Sequence, residues 1–380
     1  MAKQAIRVGI DLTAIWRRQT GIFRYTAELA KHLLVLPDAD SPVEYVLFFS
    51  REIHADFLPL LDHFTAVIAP TTNELLLKQC WFPLVLPGLH LDVIHYPAFP
   101  PPYLHLFGPR TVMTLHDAGP WRYASALTLH GRLYFRTLLT RGLHTCTRVI
   151  TVSEHARSEI GHFLGKQFLP ELMVIPEAAR AEFAIPCTAA FKQQVRTTYH
   201  LPTQYFLTVA TVEPRKNLVT LLKAYQQLQQ RLQADCPPLV IVGRKGWNNA
   251  DILQYMQTLE GQVLFPGFVG DDELIALYQM ATALVFPSLY EGFGLPILEA
   301  MMAGCPVIAA HTSSLPEVAG DAALFVDPLQ ADEMSETMQR VLHDDTVRSK
   351  LIAAGYERAK KFSWEETARM TRNVYILVSQ

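Results

Sequence analysis

The chain lacks the features that would assign several common classes of protein. No apolar run approaches the ~20 residues of a membrane-spanning helix, so no span is expected. The five cysteines, Cys80, Cys146, Cys187, Cys236 and Cys305, are scattered, odd in number and without a C-x-x-C pair. That argues against a disulfide scaffold or zinc site and fits a reducing compartment. Charge of one sign is missing as well. The formal net charge is −3, with a slightly basic first half and a slightly acidic second, which gives no reason to expect a nucleic-acid partner. The first βα turn has no G-x-G-x-x-G, and Gly243 and Gly246 around Arg244-Lys245 do not make one, which argues against a nicotinamide dehydrogenase. Low-complexity segments and solenoid-length repeats are also absent. Met1-Ala2-Lys3-Gln4 runs straight into an apolar strand ending at Asp11, too short and too soon charged for a signal peptide. A cytoplasmic protein is expected.

What is present is core material and rhythm. Half of the 380 residues are hydrophobic, enough for two domains. Short β-branched runs alternate with helical patterns. Strands are expected at Ile6–Asp11, Tyr45–Phe49, Ala66–Ala69, Val93–Tyr96, Thr111–His116, Val149–Val152 and Met173–Pro176. In the second half they are expected at Tyr205–Ala210, Leu239–Val242, Val263–Phe265, Ala283–Phe286, Val307–Ala310 and Ala323–Val326. Helices are expected at Ile22–Leu36, Asn73–Leu86, Thr128–Cys146 and Glu154–Leu164, and between the later strands. Such alternation means parallel sheets covered on both faces. The rhythm pauses between Glu177 and Tyr205, dividing the chain into residues 1–186 and 187–363. The fold class is therefore α/β: two doubly wound, Rossmann-like domains facing each other across a cleft, with ligands beyond the carboxyl ends of the strands.

The densest chemistry lies in Ser288-Leu289-Tyr290-Glu291-Gly292-Phe293-Gly294-Leu295-Pro296-Ile297-Leu298-Glu299-Ala300. A strand feeds a loop with one carboxylate and two glycines, and a helix follows with a second carboxylate in its first turns. Bare N–H groups at a helix start attract anions, and Gly292 and Gly294 would let a phosphate come close. Two carboxylates beside an anion site suit a ligand that is both phosphate and polyol, such as a nucleotide-sugar. Glu291 could accept bonds from sugar hydroxyls and Glu299 from ribose; the plain alternatives are turn glycines and a helix-dipole acid. Strand Tyr205–Ala210 runs into Glu213-Pro214-Arg215-Lys216-Asn217, where two adjacent cations would neutralise a diphosphate, unless they are a solvated helix start. His116 ends a strand and could donate to a sugar or phosphate oxygen. His95 ends another, in weaker context. Gly21, in Gly21-Ile22-Phe23-Arg24-Tyr25, would allow tight passage of substrate, and Arg24 either binds an anion or caps local structure.

Two further features carry less. Asp38-Ala39-Asp40 has the spacing of a metal-holding D-x-D, but it lies between Pro37 and Ser41-Pro42, far from any strand end, and reads as a turn. Arg122, Arg132, Arg136, Arg141 and Arg148 interleave with Leu133, Tyr134, Phe135, Leu138 and Leu139. They form either a surface for anionic lipid, making the protein peripheral at the inner face of the membrane, or a plain amphipathic helix with its basic face in water.

Together these residues resemble glycosyltransferase family 4, the retaining, GT-B-fold glycosyl transferases group 1, over nearly the whole chain. The most specific part runs from Phe286-Pro287-Ser288 through Glu291-Gly292-Phe293-Gly294-Leu295-Pro296 to Glu299, where Glu291 and Glu299 match the family's E-x7-E pair. Ser313-Ser314-Leu315-Pro316-Glu317-Val318, Pro214-Arg215-Lys216-Asn217, His116-Asp117, Val152-Ser153-Glu154 and Gly21 to Tyr25 also match, while Phe23 stands where many members have glycine. The resemblance implies that Arg215 and Lys216 hold the donor diphosphate and Glu299 binds the ribose. Glu291 and the backbone near Phe293, Gly294 and Leu295 would contact the transferred sugar, with His116 touching it from the other domain. The base would lie near Gly267, Phe268 and Val269. No cofactor and no metal are expected, because cations and a helix N-terminus take over charge neutralisation. The implied partners are a nucleotide-sugar donor and a glycan or lipid-linked acceptor; oligomeric state is left open. The implied final helix, residues 364–380, packs back on the first domain. Gly21 to Tyr25 and Gly243 to Trp247 resemble mannosyltransferase-like members, so GDP-mannose is the expected donor, with polysaccharide synthesis as the setting. UDP-glucose is the nearest rival. A nucleotide-sugar epimerase and a non-catalytic nucleotide-sugar-binding protein are the other readings.

Overall fold

The computed structural model describes residues 5–15, 21–37, 42–98, 100–102, 108–123, 139–165, 167 and 172–380. The chain forms two compact units, Met1–Glu177 with Ser363–Gln380, and Ala178–Phe362.

In the first unit the described strands are β1 (Ile6–Asp11), β2 (Val43–Ser50), β3 (Phe64–Ala69), β4 (Val93–Tyr96), β5 (Arg110–Thr114), β6 (Arg148–Thr151) and β7 (Leu172–Val174). They form one parallel sheet in the order β3-β2-β1-β4-β5-β6-β7. Strand order reverses between β1 and β4. The second unit holds β8 (Phe206–Val209), β9 (Leu239–Val242), β10 (Val263–Gly267), β11 (Ala283–Phe286), β12 (Val307–Ala310) and β13 (Leu324–Val326). These are parallel in the order β10-β9-β8-β11-β12-β13, and the reversal falls between β8 and β11.

The apolar runs that predicted the central strands are buried on both faces. Every residue of β9, β11 and β12 is buried, as a parallel sheet between helical layers requires. Leu218–Leu232 shows how a helix covers such a face. Leu218, Leu221, Leu222, Tyr225 and Leu228 recur at helical spacing and are all buried against the second unit's core. Each contributes roughly 1.5–3 kcal/mol by leaving water.

Three differences from the sequence expectation have physical causes. The first unit ends at Glu177, not near residue 186. Residues just beyond it belong to the second unit: Arg180 pairs with Asp271, and Phe183 packs its ring edge-on to Tyr278. The expected helix Asn73–Leu86 forms, but with a π turn, Leu77–Trp81, inside it. Pro83 has no N–H with which to continue regular bonding, and the wide turn carries Lys78 into the interior. The strand expected to reach His116 stops at Thr114, leaving His116 in the loop beyond it.

The terminal helix Trp364–Ser379 packs on the helix Gly21–Val35 and on β1, β4 and β5. Ser363 caps it by accepting from the Glu366 N–H at 3.1 Å. Buried Tyr375 meets His95 Nδ1 at 2.7 Å, while His95 Nε2 meets Thr114 Oγ1 at 2.9 Å. Burial pushes His95 down to about 3, so it is a neutral strut tying helix to sheet.

Some expected features lie outside the described residues: Met1–Gln4, Asp38-Ala39-Asp40, Arg132 and Arg136 with the apolar residues 133–135 and 138, and the first part of the helix expected at Thr128–Cys146. Arg122, on the same basic segment, pairs with Glu159 at 2.6 Å. Among the described residues no helix is long and apolar enough to cross a membrane.

Candidate active site

In open parallel sheets, ligands sit at the carboxyl ends of the strands where strand order reverses. In the second unit that point is the pair β8 and β11, and the loops after these strands carry Arg215, Lys216 and Glu291.

After β8, Pro214–Lys216 forms a single 3-10 turn that ends at Asn217 with φ +57°. Asparagine tolerates this left-handed backbone better than most residues. Asn217 Nδ2 donates to the carbonyls of Pro287 (3.1 Å) and Pro328 (2.6 Å), and Leu289 N–H donates to Arg215 O (2.9 Å). The turn is thereby fastened to the loops after β11 and β13. Both cations then converge on one carboxylate. Arg215 Nη1 donates to Glu291 Oε2 at 3.0 Å and to Tyr290 O at 2.9 Å, and its Nε donates to Glu213 Oε1 at 3.0 Å. Lys216 Nζ donates to Glu291 Oε1 at 2.5 Å.

The loop after β11 is held from behind. Glu291 N–H donates to Ser313 Oγ (2.9 Å), which returns a bond to Glu291 O (2.6 Å). Ser314 Oγ donates to Phe293 O at 2.7 Å. Gly294, at φ +106°, caps the helix Leu295–Met302, and a Cβ there would lie 2.7 Å from Leu315 Cδ2. The backbone angle favours glycine. Glu299, inside that helix, is buried and accepts from Tyr278 Oη at 3.1 Å.

The electrostatics follow from burial. Burial alone would raise the Glu291 carboxyl, but Lys216 and Arg215 outweigh it and hold the group below the usual carboxylate range. Burial lowers the Lys216 ammonium; Glu291 pulls it back and Arg215 pushes it down further, leaving it below the ordinary lysine value. Glu291 is therefore an anion between two cations. It can accept hydrogen bonds or face a developing positive charge, and it is a poor acid.

After β10, Val269 is buried and Phe268 is half exposed with the Arg244 guanidinium 4.6 Å over its ring. Gly292 and Phe293 are buried in the loop, and Leu295 begins the helix. In the first unit, Gly21 opens the helix Gly21–Val35, and a Cβ there would meet nothing within 4 Å. The described packing of that unit does not itself demand a glycine at this position. His116 lies beyond β5, with Nδ1 2.9 Å from Glu177 Oε1 and Nε2 3.0 Å from Pro97 O. Sequence reasoning placed Glu177 only at the start of the pause in rhythm that divides the chain. Its place immediately after the strand-like run Met173–Pro176 was the available signal. Glu213, Ser313 and Asn217 were quoted within motifs without the roles they have here.

Two family models match: "Glycosyltransferase Family 4" over residues 20–183 and "Glycosyl transferases group 1" over residues 193–358. The "O-antigen chain mannosyltransferase B" of Escherichia coli is 33% identical over 377 residues, covering 94% of this chain and 96% of that protein. The chain belongs to the glycosyl transferases group 1. Its two α/β units match solved enzymes of this kind along their whole length. Sucrose-phosphate synthase from Thermosynechococcus elongatus aligns with a TM-score of 0.74 at 21% identity, covering 98% of this chain and 99% of the other. Anabaena HepE, solved with UDP and glucose, aligns at 0.71 and 17%, with coverage of 98% and 99%. The fold class of this glycosyltransferase is GT-B.

Proposed function

We propose that this glycosyltransferase moves a mannosyl residue from GDP-mannose to a glycan or lipid-linked acceptor in cell-surface polysaccharide synthesis, with retention at the anomeric carbon and without a metal. The observation that carries the donor site is the convergence of Arg215 and Lys216 on Glu291 at the point where the second sheet's strand order reverses. The preference for mannose rests on the full-length similarity to an O-antigen mannosyltransferase. A UDP-glucose donor has only distant structural likeness in its favour.

The roles follow from the charges. Two cations and the N–H groups that open Leu295–Met302 neutralise the leaving diphosphate, the task a divalent metal performs elsewhere. Glu299, oriented by Tyr278, binds the ribose hydroxyls. Phe268 and Val269 flank the base. Glu291, kept ionised, stabilises positive charge developing on the sugar and accepts from its hydroxyls. Because Glu291 is flanked by cations it is a weak nucleophile. Same-face displacement, with the leaving phosphate taking the acceptor's proton, suits it better than a covalent glycosyl-enzyme.

A thermal-shift panel of UDP, GDP, ADP and dTDP with their hexose conjugates checks the donor. A ligand present at about 100 times its Kd adds about 2.7 kcal/mol to the folded state. A selective upward shift with GDP and GDP-mannose is expected. A UDP-selective shift moves the reading to glucosyl-type transfer, and no shift with any nucleotide removes the donor site.

A further inference from the structure

Four charged side chains meet at the carboxyl ends of β8 and β11, and one of them, Glu213, has no task in the roles above. Glu213 Oε1 accepts from Arg215 Nε at 3.0 Å and from Arg215 Nη2 at 2.8 Å. Nη1 of the same guanidinium is bonded to Glu291 Oε2 and Tyr290 O. One edge of the Arg215 fork, the kind of edge that matches a phosphate, is therefore already held by an anion. We propose that Glu213 is a competing counter-ion in the diphosphate site: it opposes the diphosphate at Arg215, so that the leaving nucleoside diphosphate is bound weakly enough to depart. This rests on the donor reading given above, in which Arg215 and Lys216 face the diphosphate.

Glu213 is not a surface acid. Its side chain is 10% exposed, so salt and water screen its charge little. Its backbone leads into the turn Pro214–Lys216, and its carbonyl accepts from Lys216 N–H at 3.1 Å. The loop after β9 closes in behind it. Val212 N–H donates to Arg244 O at 2.7 Å, and Gly246 N–H donates to Val212 O at 3.0 Å. A Cβ on Gly246 would lie 3.2 Å from Glu213 Cβ and 3.0 Å from Val212 O. The carboxylate is thus presented to Arg215 from a pinned backbone. Its presence has an electrostatic reason. Two cations against Glu291 alone would leave a net positive charge in a largely buried cluster, and Glu213 brings the four groups to neutrality.

A diphosphate that enters a neutral cluster makes it negative, and Glu213 is then a like charge on the far side of Arg215. The penalty differs between donor and product. In the donor each phosphate is esterified and carries a single charge. In transfer the bond from the anomeric carbon to the phosphate oxygen breaks and a bond to the acceptor oxygen forms, while the acceptor's proton passes to the leaving phosphate. A terminal phosphate gives up such a proton to water at about pH 6, so the product comes to carry roughly one charge more than the donor. Repulsion from a fixed carboxylate grows with the charge it faces. Glu213 therefore weakens the product more than the donor, and this favours release over rebinding.

The test compares the full chain as wild type, Glu213→Gln and Glu213→Asp. Gln keeps an acceptor for Arg215 and removes the charge. Titration calorimetry with GDP and with guanosine measures affinity, and GDP inhibition of GDP-mannose turnover gives Ki beside KM. Glu213→Gln should bind GDP about 10-fold tighter or more, the scale of one poorly screened like charge at short range. Guanosine, which has no phosphates, should bind as before. Ki/KM should fall, and Asp should return GDP affinity toward wild type. A residue that only orients Arg215 predicts the opposite sign, because GDP weakens when the support is lost. If Gln does not fold, Glu213→Ala carries the same comparison. GDP affinity at or below wild type in the charge-free variant overturns the proposal, and so does tighter GDP with an unchanged Ki/KM. A wild type that binds UDP and not GDP overturns the GDP preference, and the same series run with UDP decides the proposal. A wild type that binds none of GDP, UDP, ADP and dTDP overturns the donor reading, and the proposal with it.

Discussion

Lys216→Met lowers kcat by about 10²–10³-fold, the usual loss when one preorganised group facing transition-state charge is removed. The substitution keeps most of the aliphatic stem and removes the ammonium, which lies 5.4 Å from the Phe286 ring centroid. Glu291 is left with Arg215 as a partner at 3.0 Å, so no buried charge is stranded and the melting temperature changes little. The loss should appear in kcat rather than KM, because charge on the leaving diphosphate is greatest as the glycosidic bond breaks. Steady-state kinetics beside a thermal melt check this. An unchanged kcat in a folded variant would mean that Lys216 merely neutralises Glu291 and has no part in departure of the nucleotide.

Lys78→Ala destabilises the first unit by about 3–5 kcal/mol, the range for removing one partner of a buried ion pair. Lys78 is fully buried and paired with Asp11 Oδ2 at the end of β1. Its ammonium lies 4.6 Å from the Tyr96 ring centroid and 5.0 Å from that of Phe82. Burial holds this lysine well below its ordinary value, so its charge survives only with such partners. Asp11 also accepts from Thr13 N (3.1 Å) and Thr13 Oγ1 (2.6 Å), which shape the turn after β1. The single substitution strands that carboxylate away from water. Lys78→Met with Asp11→Asn removes both charges and should recover most of the loss, since apolar replacement of a buried pair is often neutral. Denaturant unfolding of Lys78→Met, Asp11→Asn and the double variant closes a double-mutant cycle and measures the coupling. Equal, additive losses would show that the two charges are not energetically linked.

The fold was legible because a buried parallel sheet leaves a plain imprint. Runs such as Leu239–Val242 and Val307–Ala310 are short, apolar and unalternating, and only a strand covered on both faces needs that. Arg215, Lys216 and Glu291 were legible because cations and a carboxylate directly followed two of those strands, although they lie about 75 residues apart and only strand order brings them together. The pairing itself was not legible; the sequence reading assigned the cations to phosphate and the carboxylate to sugar, without showing that they hold one another. Glu177 was missed because its partner His116 is 61 residues away in another strand's loop, and local pattern does not report a contact of that range. The inward turn of Lys78 was equally hidden, since helical spacing assumes regular α turns and the π turn Leu77–Trp81 changes which face a residue takes. The first unit's true boundary escaped for a related reason: Arg180 and Phe183 find their partners about 90 residues downstream.

Sugar transfer supported by protein cations at the diphosphate can be put to a single assay. Purified protein is incubated with GDP-mannose and a mannosyl acceptor, with and without a chelator, and the anomeric configuration of the new linkage is read by NMR. The expected product is an α-mannoside, matching the donor's own configuration, formed at the same rate in both samples. A β-linked product, or a rate abolished by the chelator and restored by a divalent metal, would contradict it.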